Sequence, residues 1–214
     1  MDARIVLIVF LCYIFWIEFL KPKQNGSWGS HTPILMTILN NTHGDILELG
    51  SGYYSTPLIH QYGSRDRRIL TIDSDCKWLQ KFRGLENTFH AFTCTQTHHT
   101  NLTFTELFYK ISPQRIDQAW TMSVPQDHRF GVAFIDHSPG YRRYKDILLL
   151  RKTCDILVVH DTDDVLVKRF VFGKKLQDVL NSFKYIYRTK HILPQTTVVS
   201  DKICVNAILS SYDF

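Results

Sequence analysis

Several acidic and histidine residues in this sequence directly follow short apolar segments, where the side chains at the end of a buried strand can meet a ligand. Carboxylates accept hydrogen bonds from ligand hydroxyls or bind cations, and histidines exchange protons near neutral pH. The residues placed in this way are Glu48, Asp73, Asp136, His137, His160 and Asp161.

A glycine-rich turn comes directly after the first of these segments. Gly50-Ser51-Gly52 follows the apolar stretch that contains Glu48, and Pro57 indicates that a helix begins shortly afterwards. Glycines allow the backbone to turn sharply and to approach a ligand closely. The pattern therefore predicts a strand, a ligand-binding turn and a helix, with Glu48 as an acceptor for a ligand hydroxyl or amine.

Asp73 narrows the class of ligand. It ends a second apolar segment 23 residues after Gly50, where a carboxylate can accept hydrogen bonds from both hydroxyls of a ribose. Ser55 stands where the third glycine of a dinucleotide-binding fingerprint would be, which argues against a pyrophosphate. A ligand with an adenosine moiety and no phosphates is favoured.

Apolar segments alternate with amphipathic ones, which predicts an α/β domain with a doubly wound, mostly parallel Rossmann-like sheet. Residues 185–189 and 196–200 are predicted to form a C-terminal antiparallel strand pair, and 202–209 a further strand. Residues 101–126 are predicted to hold a helix near 104–111 and a long loop that includes Trp120. Because ligands bind beyond the carboxyl ends of parallel strands, the polar strand ends should converge.

These motifs resemble those of class I S-adenosylmethionine-dependent methyltransferases. The resemblance runs from Asp45 to Asp164, through Glu48-Leu-Gly-Ser-Gly52, Thr-Ile-Asp73, Phe-Ile-Asp136-His137 and Ile156-Leu-Val-Val-His-Asp161. The last two motifs are similar to the catechol O-methyltransferase type. The resemblance implies that the cofactor is S-adenosyl-L-methionine and that its partners are Glu48, Gly50, Ser51, Gly52, Asp73 and Asp136.

The resemblance also implies a possible metal. Asp136 and Asp161 match two acids that bind magnesium in the metal-dependent members, but Thr162 replaces the neighbouring Asn. The catalytic Lys of those members is missing, since Ser138-Pro-Gly140 stands in its place. A hard cation such as Mg²⁺ can still bind two carboxylates and waters.

Methyl transfer requires alignment of donor and acceptor and, for some acceptors, a base. The candidate catalytic residues are Asp136, His137, His160 and Asp161, with His137 or His160 as the base. The alternative is that both histidines only hold loops by hydrogen bonds. His31, in Ser30-His-Thr32, either belongs to a helix cap or reaches the cofactor.

The N-terminus differs from the rest. Ile5–Ile17 is an unbroken apolar run, followed by Lys21-Pro-Lys23 without a clear cleavage site. It predicts a transmembrane signal anchor over 1–23, a linker over 24–30 and a domain over 31–214; the core of a signal peptide is the alternative. Sequons at Asn25, Asn40 and Asn101 add modest support for a glycoprotein of the endoplasmic reticulum or Golgi.

Charge and cysteines add little more. The net charge of +5 is mild and its basic clusters, including Arg142-Arg143, are short, so solvated faces are expected and a nucleic-acid partner is not. The spacing of the cysteines matches no zinc motif, and it leaves disulfides and buried thiols equally open.

The function predicted from the sequence is a membrane-anchored S-adenosylmethionine-dependent methyltransferase acting on oxygen or nitrogen of a small molecule or glycan. Two alternatives remain open: a catalytically inactive methyltransferase-like binding protein of the secretory pathway, and a nicotinamide-dependent oxidoreductase.

Overall fold

The computed structural model describes residues 29–95, 113–163, 173–190 and 192–210. They form one seven-stranded sheet with the strand order β3-β2-β1-β4-β5-β7-β6. The strands are β1 (Ile46–Leu49), β2 (Ile69–Asp73), β3 (His90–Cys94), β4 (Phe130–Ile135), β5 (Cys154–Val159), β6 (Tyr185–Arg188) and β7 (Thr197–Ser200). The first five strands are parallel, and β7 lies antiparallel between β5 and β6.

Helices cover both faces of the sheet. They are α1 (Thr32–Asn40), α2 (Thr56–His60), α3 (Cys76–Leu79), α4 (Pro113–Ser123), α5 (Arg143–Leu150), α6 (Gly173–Asn181) and α7 (Val205–Leu209). Two short 3-10 segments, Gln80–Leu85 and Gly140–Arg142, extend α3 and precede α5. The predicted α/β class, the mostly parallel sheet and the antiparallel pair near the C-terminus are confirmed.

Alternation along the strands divides the core into two layers. In β1, Ile46 packs with α1, α2 and α7, whereas Leu47 and Leu49 pack on the other face with α4, α5 and α6. The central strands are buried along their whole length, as expected for parallel strands covered on both sides. The residues that directly follow a strand continue this alternation, so it determines to which face of the sheet each of their side chains points.

Some predicted elements were wrong. Residues 202–209 hold helix α7 rather than a strand, because Val205 and Leu209 recur at helical spacing and bury one face against the sheet. Trp120 lies in helix α4, not in a loop, and is fully buried. The predicted helix at 104–111 falls outside the described residues.

The predicted anchor over 1–23 and most of the linker also lie outside the described residues. Within the parts of the chain that the structure describes, no helix combines the length and the apolar character needed to cross a bilayer. Of the cysteines there, Cys76 and Cys94 form a disulfide that joins the start of α3 to the end of β3, and Cys154 and Cys204 are free.

Glu48 is a buried carboxyl inside the α1–α2 face. Its side chain has no exposed surface, and it accepts hydrogen bonds from the hydroxyls of Thr56 (3.0 Å) and Thr71 (2.7 Å). Burial raises the pKa of Glu48 to about 7, although the hydroxyl donors, Ser55 among them, oppose this effect. The folded protein therefore favours the protonated form of Glu48 over a pH range in which the unfolded chain ionises it.

We expect Glu48→Gln to remove a pH dependence of stability. Because the folded pKa of about 7 exceeds the ordinary value of 4.5, the contribution of protonated Glu48 is complete below pH 4.5 and is lost as the pH rises through 7. Relative to the variant, the wild type should lose up to about 3 kcal/mol of unfolding free energy across this range. Urea unfolding at pH 4.5 and pH 8 measures this difference.

Glu86→Gln serves as the matched control, because Glu86 is exposed and pairs with Arg83 at the surface. It should leave the pH profile unchanged. An equal offset between wild type and Glu48→Gln at both pH values would contradict the expected shift.

Candidate functional site

The turn after β1 is held against the end of β4. Gly50 has a φ of +92°, and a Cβ at this position would lie 2.6 Å from the Cα of His137. No other residue can take this conformation at this distance without moving the backbone. The close approach brings the turn Gly50–Gly52 beside Asp136, at the carboxyl edge of the sheet.

Asp73 fixes the turn from β2. The backbone N–H and the hydroxyl of Ser51 both donate to Oδ2 of Asp73 at 2.7 Å, and the N–H of Asp75 donates to Oδ1 at 2.9 Å. A carboxylate offers about four acceptor positions, so one remains on Oδ1. Burial raises the pKa of Asp73, although these three donors oppose the effect. The structure thus places Asp73, the predicted ribose acceptor, next to the turn. Most of its hydrogen-bond acceptor positions are already occupied by donors of the protein.

Glu48 supports the same turn from behind. The N–H of Gly52 donates to the hydroxyl of Thr56 (2.9 Å), which in turn donates to Glu48. The carboxyl of Glu48 is enclosed, and its contacts give it a structural role through Thr56. A direct contact between Glu48 and a cofactor stays a prediction.

Aromatic side chains flank the turn. The indole N–H of Trp78 donates to the carbonyl oxygen of Ser51 at 2.8 Å, and its ring contacts Tyr53 with the ring centroids 5.2 Å apart. The ammonium group of Lys81 lies 3.9 Å from the centre of the Trp78 ring. Trp78 therefore packs against the turn and Tyr53, while Tyr53 itself remains 61% exposed.

A buried guanidinium joins the ends of β4 and β5. Arg143 donates to Asp136 (Oδ1, 3.0 Å), to Asp161 (Oδ2, 3.3 Å) and to the carbonyl oxygens of His137 and His160. The prediction that Arg142-Arg143 lies on a solvated face is wrong: only 1% and 7% of their surfaces are exposed. Adjacent arginines on a short amphipathic helix give no sequence signal that separates the two cases.

The predicted magnesium site does not fit this arrangement. Arg143 already supplies a positive charge to both Asp136 and Asp161. Thr162, at the position of the missing Asn, is fully buried, and its hydroxyl bonds to the carbonyl oxygen of Gln195 and the hydroxyl of Thr197. The third oxygen ligand of that site is therefore turned away, and we derive no step through magnesium.

The second oxygen of Asp136 meets His160. Nδ1 of His160 lies 3.2 Å from Oδ2 of Asp136, and its Nε2 lies 2.9 Å from the hydroxyl oxygen of Ser30. Burial alone would raise the pKa of Asp136, but the charge of Arg143 and the contact with His160 outweigh it and lower the pKa to about 2. Asp136 is thus a carboxylate at neutral pH, with 24% of its side chain exposed.

His31 joins this group from the start of α1. Its ring centroid lies 4.6 Å from that of His160 and 4.7 Å from that of Phe134. Burial, followed by the proximity of His160, lowers the pKa of His31 to about 4, so its ring is neutral at pH 7. The structure therefore does not use His31 as a simple helix cap.

His137 points away from the site. It follows Asp136 directly, so its side chain enters the opposite face, where Nε2 lies 2.8 Å from Asp146 and the ring packs on Trp120. Only 1% of its surface is exposed. Its placement gives no support to the prediction of His137 as the base, and it leaves His160 as the histidine that faces Asp136.

The comparisons with known proteins were made on sequence and on structure. The sequence matches no protein-family model and no curated protein. The fold is similar to that of a proposed O-methyltransferase from Klebsiella pneumoniae, with a TM-score of 0.57 and 13% identity over 85% of this chain and 84% of the other.

Two further solved structures agree. The O-methyltransferase from Bacillus cereus in complex with SAH has a TM-score of 0.53 and 15% identity, over 94% of this chain and 91% of the other. The N-methyltransferase NodS from Bradyrhizobium japonicum has a TM-score of 0.55 and 9% identity, over 85% and 99%. These similarities show that the chain has the fold of class I S-adenosylmethionine-dependent methyltransferases, as its motifs predict.

Proposed function

We propose that this protein is an S-adenosylmethionine-dependent methyltransferase that acts on an oxygen or nitrogen of a small molecule or glycan. The observation that carries the proposal is the turn Gly50–Gly52, which Asp73 fixes at the carboxyl edge of the sheet. In the same sheet, strand β7 is inserted antiparallel between β5 and β6. The B. cereus structure, which shares this fold, is a complex with SAH. The strand order also argues against the oxidoreductase alternative, since dinucleotide-binding sheets keep the sixth strand parallel.

The residues present suit the cofactor. Gly50 leaves no side chain between the turn and the end of β4, and Asp73 keeps one free acceptor position for a ribose hydroxyl. Asp136 and Asp161 together carry more negative charge than Arg143 neutralises, which favours a positively charged ligand at this edge. When bound, S-adenosylmethionine supplies an activated methyl group.

The chain's own residues would then orient the acceptor and remove its proton. His160 faces Asp136 and is the better placed of the two predicted bases, because its Nδ1 lies 3.2 Å from Asp136, whose side chain is 24% exposed. Asp161 has a φ of 53°, a conformation that non-glycine residues seldom adopt. This backbone directs its carboxylate toward Arg143 and His160, with the oxygen facing His160 at 3.5 Å from Nδ1.

The membrane anchor, the location in the endoplasmic reticulum or Golgi and the glycan acceptor belong to the proposal. The Cys76–Cys94 disulfide supports an oxidising compartment, since such bonds are rare in the cytosol. The sequon at Asn40 lies at the exposed end of α1, where a glycan has room.

Asp73→Asn should weaken binding of S-adenosylmethionine and S-adenosylhomocysteine by about tenfold to a hundredfold, because a charged acceptor is lost. Isothermal titration of the full-length chain measures both affinities. Asp66→Asn is the matched control, since Asp66 is an exposed carboxylate in the loop before β2. No detectable binding of either compound to the wild type would overturn the proposed function.

An inactive binding protein would differ from the proposed methyltransferase in that it does not turn over S-adenosylmethionine. Under that alternative, the wild type would bind S-adenosylmethionine with saturation but release no S-adenosylhomocysteine across a panel of phenols, amines and glycans. Release of S-adenosylhomocysteine with any acceptor would exclude it.

For the proposed location, the protein expressed in eukaryotic cells should resist extraction from membranes by alkaline carbonate. Its apparent mass should fall on enzymatic removal of N-linked glycans, because the proposed lumenal domain carries the sequons. Asn40→Gln and Asn101→Gln identify the sites used. A protein found in the soluble fraction with no glycan-dependent change of mass would contradict the proposed anchor and orientation.

A further inference from the structure

Three side chains from distant parts of the chain meet at the carboxyl edge of the sheet. His31 precedes α1, Asp136 follows β4 and His160 follows β5. Each offers one ligand atom, and these atoms all lie within 4.8 Å of one another. Separations of this size are compatible with a single ion bound by all three.

His31 has no hydrogen-bond partner for either ring nitrogen among the described residues. Only 2% of its surface is exposed, so bulk water does not reach these nitrogens. Buried polar atoms are rarely left without a partner, since burial removes their hydrogen bonds to water. The packing against Phe134 and His160 thus holds an imidazole whose two nitrogens are free to bind a ligand.

The bonds of Ser30 determine which nitrogen of a neutral His160 ring carries the proton. The Ser30 hydroxyl donates its single proton to the carbonyl oxygen of Pro194 at 2.9 Å. It must therefore accept a hydrogen bond from Nε2 of His160. In a neutral ring, Nδ1 of His160 then presents a lone pair to Asp136 at 3.2 Å and to Asp161 at 3.5 Å. Acceptors that face one another in this way need a cation between them, either a second proton on the ring or a bound metal ion.

The local charges leave room for that positive charge. Asp136 and Asp161 contribute two negative charges, and Arg143 contributes one positive charge. Arg143 uses Oδ1 of Asp136, whereas His160 faces Oδ2. The side of Asp136 that faces the histidines is therefore not neutralised by the guanidinium.

We infer that His31, Asp136 and His160 bind one divalent first-row transition metal ion of the zinc or ferrous iron class. Two imidazoles and one carboxylate form a donor set that zinc and non-haem iron use, whereas magnesium prefers oxygen ligands. The site therefore differs in ligands and in metal from the magnesium site that Arg143 and Thr162 disfavour. Three protein ligands leave a coordination position for a further group.

The open position gives the metal a role that rests on the proposed methyltransferase function. A hydroxyl or amine of the acceptor that binds there would lose its proton more readily, because the cation stabilises the deprotonated form. The metal would then replace His160 in the role of base, since Nδ1 of His160 would be a metal ligand. The acceptor class would then be one with a metal-binding oxygen or nitrogen. The metal site itself does not depend on that function and can be tested without an acceptor.

Cobalt(II) is the probe, because its visible absorption reports the ligands and the geometry of the bound ion. Full-length protein treated with a chelator is titrated with Co²⁺ and then with Zn²⁺. To remove an exposed thiol that could bind either ion, the titrations use a Cys204→Ser background. We expect one Co²⁺ per chain with the absorption of a nitrogen- and oxygen-bound ion, displacement by Zn²⁺, and no displacement by a large excess of Mg²⁺.

His31→Phe is the decisive variant, because it keeps a ring against Phe134 and His160 but has no ligand atom. It should weaken Zn²⁺ binding by about a hundredfold or more and abolish the rise in Tm that Zn²⁺ causes in the wild type. Without metal, its Tm should equal or exceed that of the wild type, since two unpaired buried nitrogens are removed. Asp136→Asn should weaken Zn²⁺ binding comparably.

His128→Ala is the matched control. His128 also pairs with an aspartate, since its Nε2 lies 2.8 Å from Asp45, but that pair lies at the opposite edge of the sheet. Its loss should leave Co²⁺ and Zn²⁺ binding unchanged. The same control should be made with His98→Ala/His99→Ala, because these adjacent histidines lie outside the described residues.

The proposed metal site is overturned if the wild type binds no stoichiometric Co²⁺, which would leave a protonated His160 as the source of positive charge. It is also overturned if His31→Phe binds Zn²⁺ as tightly as the wild type, or if either histidine control abolishes binding. Titration of S-adenosylmethionine into the same metal-free and zinc-loaded samples separates the two proposals. Cofactor binding without metal binding refutes only the metal site, and metal binding without cofactor binding refutes only the proposed function.

Discussion

The arrangement of the site depends on the burial of one guanidinium group. Arg143 begins helix α5 and reaches back across the ends of β4 and β5, where it bonds to two backbone carbonyl oxygens and two carboxylates. These bonds hold the residues that follow the two strands in one geometry. Removal of a buried group with so many partners would leave two acids facing each other without a counter-charge.

Because Arg143 bonds to only one oxygen of Asp136, the two oxygens have different partners. One oxygen is committed to the guanidinium, and the other faces His160, whose ring packs against the buried ring of His31. A carboxylate that forms an ion pair through one oxygen can still polarise a ligand through the other. This division explains how a site that has lost the features of a magnesium centre can keep the acids at both strand ends.

The part of this architecture that short-range patterns encode was predictable from the sequence. Apolar runs that end in polar residues identified β1, β2, β4 and β5, and therefore the edge at which Gly50, Asp73, Asp136 and His160 meet. The roles of neighbouring residues were harder to predict. Alternation along β4 sends Asp136 and His137 to opposite faces, but which face holds the site depends on how α1 and α5 pack. For the same reason the burial of Arg143, the enclosure of Glu48 and the position of His31 are tertiary properties.

The contribution of Ser30 and His31 to the site limits where the proposed enzyme can act. These residues are among the first of the domain, and Ser30 bonds both to His160 and to the hairpin that contains Pro194. With the chain anchored through residues 1–23, as proposed, only the six residues 24–29 separate the bilayer from the site. Even fully extended, such a tether spans at most about 22 Å. The acceptor would then be met close to the membrane surface, which favours lipid-linked or membrane-bound molecules over those free in bulk solution.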